Sequence, residues 1–112
     1  DELRVLYALL FEAIGGEPIL RDRMLEFHDD LRARLIEVVA RGQTDGSIVP
    51  SLDAAAEVDV VLGGMRGIAY QWLLEPDYDA GRAFAHFRQI VNDRMAVADP
   101  RPDGSKQRNK KL

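Results

Sequence analysis

Apolar side chains recur at three- and four-residue steps along most of the chain, the spacing of one face of an α-helix. From Leu3 to Ile14, the residues Leu3, Leu6, Tyr7, Leu10, Ala13 and Ile14 share a stripe that Val5, Leu9 and Phe11 widen past half the circumference. That width predicts a helix buried on most sides, or one that continues upward into a further segment. Gly15-Gly16 ends it, because glycine adopts left-handed backbone angles cheaply. Pro18 suits the first turn of the next helix, where its missing N–H costs nothing.

The second segment is the clearest. Leu20, Met24, Phe27, Leu31, Leu35 and Val38 form its stripe, and charged residues fill much of the remainder. Opposite charges four apart, such as Asp30 and Arg34, favour a helix modestly. From Pro18 to about Arg41 it would be roughly 35 Å long at 1.5 Å per residue. Gly42 and Asp45-Gly46 should turn the chain, with Ile48-Val49-Pro50 as a short extended link.

Ser51 or Asp53 can cap a third helix running to about Leu74 and stopped by Pro76. Its main stripe is Ala54, Val58, Val61, Leu62, Met65, Ala69 and Trp72. A second, of small or weakly polar residues, is Val60, Gly63, Gly64, Gly67, Gln71 and Leu74. Asp77 or Asp79 would cap a fourth helix with Phe84, Phe87, Ile90, Val91, Met95 and Ala98 on its inner face. Period-two alternation is confined to a few residues, so the fold class is all-α: an antiparallel bundle of about four main helices. Each glycine inside the third helix costs about 1 kcal/mol relative to alanine. Close approach of another backbone would offset that cost, either within the chain or between two chains. A membrane role for the glycine spacing is excluded by Glu57 and Arg66.

The fourth helix places Phe84, Phe87, Ile90 and Val91 close together, and the third offers two faces of which a four-helix monomer covers one well. A symmetric homodimer through these two helices is therefore expected, with Gly63, Gly64, Gly67, Gln71, Phe84, Phe87, Ile90 and Val91 at the interface.

The 112 residues suffice for one domain, 46% hydrophobic and 30% charged, as in a folded globular chain. Charge is unevenly distributed. Residues 1–98 carry ten arginines, no lysine and seventeen acids, a net −7. Residues 99–112 hold all three lysines and sum to +3. With Pro100, Pro102 and Gly104 and little that is apolar, they are expected to form a disordered basic tail. An acidic body does not wrap nucleic acid by itself. No apolar run approaches the roughly 20 residues of a membrane span, so no membrane partner is expected. The absence of cysteine excludes disulfides and thiolate chemistry and fits a reducing, cytoplasmic setting.

Catalytic constellations are missing. Leu25 and Ala83 precede His28 and His86 by three residues, where a carboxylate-bridged di-iron bundle needs glutamate. His28 lies near Glu26, Asp29 and Asp30, but neighbouring helical residues point apart, which reads as a solvated face rather than a metal site. Ser47, Ser51 and Ser105 sit in a linker, at a cap and in the tail. Neither an enzyme, a metal nor a cofactor is expected. What remains is a cavity between the first three helices, walled by Phe11, Met24, Phe27, Met65 and Trp72, with Tyr7 or His28 as the polar contact. The same side chains could instead fill a solid core.

Two stretches carry a family resemblance: Gly42-Gln43 with Asp45-Gly46-Ser47-Ile48, then Gly63-Gly64-Met65-Arg66-Gly67 with Gln71-Trp72 and Pro76. Over about residues 1–97 the chain resembles the C-terminal regulatory domain of TetR-family transcriptional repressors. The resemblance implies a helical domain, residues 1–98, that binds a small-molecule effector and dimerises through its last two long helices. It also implies an N-terminal helix-turn-helix domain. None precedes Leu3, so DNA binding is expected only through a domain absent from this chain, which opens at Asp1 without methionine. The effector's identity is not readable. The rival reading is a stand-alone helical interaction module without a ligand.

Overall fold

The computed structural model describes residues 2–98. Four helices follow one another: α1 (Glu2–Gly15), α2 (Pro18–Asp45), α3 (Ala54–Leu74) and α4 (Ala80–Met95). Among the described residues the only extended pairing is an isolated antiparallel bridge between Ile48 and Ala96. The all-α expectation holds. The expected tail, 99–112, lies outside the described residues.

The predicted caps are used. Asp53 accepts a hydrogen bond from the Ala56 amide at 3.1 Å, and Asp79 accepts one from the Arg82 amide at 3.0 Å. Each satisfies one of the first-turn N–H groups that a helix leaves unpaired. Pro18 stands in the first turn of α2. That helix ends four residues later than expected. Gly42 is not a terminator but a buried helical residue, where a Cβ would lie 2.5 Å from Ile48 Cδ1. The stop is Gly46, at φ 89°, the one positive φ among the described residues. Asp45 braces this turn by accepting from the Ser47 amide at 2.9 Å and the Ser47 hydroxyl at 2.7 Å. Those two bonds hold the Asp45 carboxyl below its ordinary range. Gln43 then pins the linker: its Nε2 donates to the carbonyls of Val49 (3.2 Å) and Leu52 (2.8 Å).

α3 is the central element, packing against each of the other helices, whereas α4 touches α3 alone among them. The core is Val39, Val58 and Leu62, with Leu31, Leu35, Ile36, Ile48, Ala54 and Met95 packed around it. Val39 is 6% exposed and Val38 56%, so the buried face of α2 is rotated by one residue from the expected stripe at that end. A one-residue step turns a helix by about 100°, enough to exchange inside and outside. Of the two readings of the wide α1 stripe, burial on most sides does not hold within this chain, where only Tyr7 and Ala13 are buried and Leu3, Val5, Leu9 and Ile14 are exposed. The Asp30–Arg34 pair does not form; Arg32 instead holds Asp59 of α3 at 2.7 Å, and Arg94 of α4 holds Glu57 of α3 at 2.8 Å.

The assembly is open. Its radius of gyration is 17.8 Å and its extents are 57 × 34 × 18 Å. A compact chain of 100 residues has a radius of about 13 Å. The helices thus form a long, thin slab with two broad faces.

Candidate functional site

An open cleft of about 430 Å³ lies between α1 and α2. Leu10, Phe11, Ala13 and Ile14 of α1 form one wall; Arg21, Met24, Leu25 and His28 of α2 form the other. Arg66 of α3 closes the floor. The α1–α2 corner makes the cleft, because Gly15-Gly16 and the Pro18 start return the chain within two residues of the end of α1. The volume falls in the roughly 300–1,000 Å³ range of small-molecule sites.

A smaller pocket of about 70 Å³ lies beside it and shares Leu10 and Arg66. Tyr7, Phe27 and Met65 line this one. The seven expected ligand contacts are thus divided. Phe11, Met24 and His28 line the cleft; Tyr7, Phe27 and Met65 line the small pocket; Trp72 lines neither. Phe11 is further fixed by an edge-on contact with Tyr70 of α3, ring centroids 5.9 Å apart.

Two arginines were not foreseen as cleft residues. Arg66 is half-buried and is the sole charged residue between Val60 and Leu74. That isolation on an otherwise apolar helix was the available sequence signal. Arg21 is exposed and sits among other charges, so nothing in its sequence context marked it. Burial pushes the Tyr7 phenol above its ordinary value, opposed by the nearby Arg66 charge. Tyr7 is therefore neutral beside a cation. His28 Nδ1 is buried without a hydrogen-bond partner. Behind it, the Arg32 hydrogen bonds hold the Asp59 carboxyl below its ordinary range, with His28 adding a weaker pull in the same direction.

The expected subunit face also divides. A Cβ on Gly64 would overlap the Phe87 ring of the same chain, so this glycine serves the packing of α4 on α3. Gly63 and Gly67 have nothing within 4 Å and open outward. They lie with Gln71 on an exposed strip flanked by Val60 and Leu74, exposed at 68% and 64%. On α4, Phe84, Phe87 and Val91 are half-buried against the chain itself, and Ile90 faces out at 52% exposure, not inward as expected.

Among the described residues no three histidine, cysteine or carboxylate side chains gather as a metal site, and no helix is long and apolar enough to cross a membrane. No curated protein and no solved structure matches the chain. A family model does, over residues 1–96: that of the C-terminal domain of BetI-type transcriptional repressors. With nearly all of the four-helix body inside that match, the chain belongs to the BetI-type family of C-terminal domains of TetR-like transcriptional regulators.

Proposed function

We propose that this domain senses a small-molecule effector and holds two subunits together, controlling a DNA-binding domain elsewhere in a full-length repressor. The observation that carries the sensing role is the composition of the cleft: its lining comes from α1, α2 and α3, so that a molecule seated there touches all three helices. α1 is tied to α3 at both ends, by the Arg4 Nη2 bond to the Leu73 carbonyl at 3.1 Å and by the Phe11–Tyr70 contact. An effector seated between α1 and α2 would favour one tilt of α1, and α1 would pass that tilt to the segment before it. The shift is limited by the effector's preference for one arrangement over the other, about 1–3 kcal/mol in typical couplings.

The dimerisation role is supported by the thinness of the slab and the uncovered strip of Val60, Gly63, Gly67, Gln71 and Leu74, with Ile90 alongside. Two copies about a two-fold axis would bury that strip and let the α3 backbones approach at the open glycines. Sedimentation equilibrium of the 112-residue chain tests it. The expected species is near twice 12.6 kDa, and Gly67→Leu should dissociate it with helicity unchanged. A single species of monomer mass at tens of micromolar would refute the dimer. Sensing is tested by amide exchange of the chain against a panel of metabolites. Protection gained in α1 and α2 on binding supports it; ligands that protect only α3 and α4 would count against it.

A further inference from the structure

Resting on the sensing role just proposed, we infer that the cleft takes an amphipathic anion of the alkyl carboxylate class, its charge received by Arg21 and Arg66 and its chain by the apolar walls. The charges of the domain are sorted in a way that favours this. Residues 1–98 hold seventeen acids and ten arginines, yet the cleft is lined by two arginines and no carboxylate. Of the arginines that join helices to one another, Arg32 and Arg94 have carboxylate partners and Arg4 a backbone carbonyl; neither Arg21 nor Arg66 makes an ion pair or a side-chain hydrogen bond among the described residues. For exposed arginines elsewhere that is unremarked, since water solvates them. Arg66 differs because it is half-buried in the middle of an apolar helix. A partly desolvated guanidinium is costly without an anion, and its fork of donors matches a carboxylate. Its polar neighbour Tyr7 cannot supply the counter-charge, because a phenol is neutral near pH 7 and burial pushes its pKa further up.

The remainder of the cleft specifies the rest of the molecule. Phe11, Met24 and Leu25 give it apolar walls, and Ile14 stands 76% exposed at its edge. Such an edge gains by being covered with hydrocarbon. A cation would meet two like charges, and Phe11 with the His28 ring falls short of an aromatic cage. A small inorganic anion would leave the walls wet.

Octanoate, octanol and octyltrimethylammonium, each below its micellar concentration, separate the possibilities when titrated into the 112-residue chain. Binding is followed by calorimetry and by the methyl resonance of Met24. Octanoate is expected to bind at least tenfold tighter than octanol and to shift the Met24 methyl. Arg66→Gln and Arg21→Gln are each expected to weaken octanoate at least fivefold while octanol is unchanged. The exposed Arg21 keeps the test open if Arg66→Gln unfolds, as circular dichroism would reveal. Equal or tighter binding of the cation or the alcohol would overturn the anion assignment and leave the cleft as a sensing site. Binding of octanoate unaffected by either substitution, or without a Met24 shift, would likewise overturn it. No binding of any of the three would overturn the alkyl carboxylate assignment, and the sensing role would then be decided by the metabolite panel alone.

Discussion

Gly64 offers the sharpest test of how α4 is held. Replacing it with alanine adds one methyl group inside a helix, which by intrinsic propensity should stabilise the domain by about 1 kcal/mol. The new Cβ, however, would overlap Cε1 and Cζ of Phe87 and stand 3.2 Å from Cε2. The ring is half-buried between α3 and α4, so it must turn or the helices must part. Forced overpacking of this kind costs roughly 1–3 kcal/mol. The net effect of Gly64→Ala is then a loss of about 0–2 kcal/mol, or up to about 8–16 °C in Tm for a domain of this size. The Phe87→Ala background removes the obstacle, and there the same alanine should stabilise by about 1 kcal/mol. Urea titrations of the four proteins, at two protein concentrations to separate any association, give the coupling as the difference between the two backgrounds. It should be about 1–3 kcal/mol. A Gly64→Ala effect of equal size and sign in both backgrounds would refute the packing argument. So would a gain of 1 kcal/mol in the parent chain, because the close contact would then be absent.

Other expectations follow from single contacts. Gln43→Glu keeps the shape but removes the donor to the Val49 and Leu52 carbonyls, and should cost about 1–2 kcal/mol in urea unfolding; an unchanged midpoint would mean the linker is held by Ile48 alone. Asp53→Ala and Asp79→Ala each remove an N-cap and should cost about 1 kcal/mol, with Asn substitutions retaining most of it. Gly46→Ala forces a side chain onto φ 89° and should cost about 1–2 kcal/mol, whereas D-alanine introduced there by synthesis should be tolerated. The Asp59 carboxyl titrates below its ordinary 3.8 in the folded chain, chiefly because Arg32 donates to it. Its stabilising contribution is present above that value and fades as pH falls through the lower folded pKa. Melting curves between about pH 5 and pH 2 should therefore decline less steeply for Asp59→Asn than for the parent.

Much of the fold was legible because helices are local objects. Spacing of three and four, the Pro18 start, the Asp53 and Asp79 caps and the Gly46 stop each act within a few residues, so sequence alone located four helices and their turns. The partition of α3 into a core stripe and a small-residue stripe was equally readable. What sequence could not determine was rotation and partnership. Val38 and Val39 are chemically identical, and only the packing of α2 on α3 put Val39 inside. Gly63, Gly64 and Gly67 carry the same propensity cost, yet the approach of Phe87 claims one and leaves two open. The expected ligand residues were chosen for bulk, and bulk does not say which of two adjacent pockets a side chain reaches. Arg21 and Arg66 are 45 positions apart in the chain; only the folding of α1 back onto α2, above the middle of α3, brings them to one cleft. Local periodicity determines which helices form, and the burial of their faces against one another decides what each face is for.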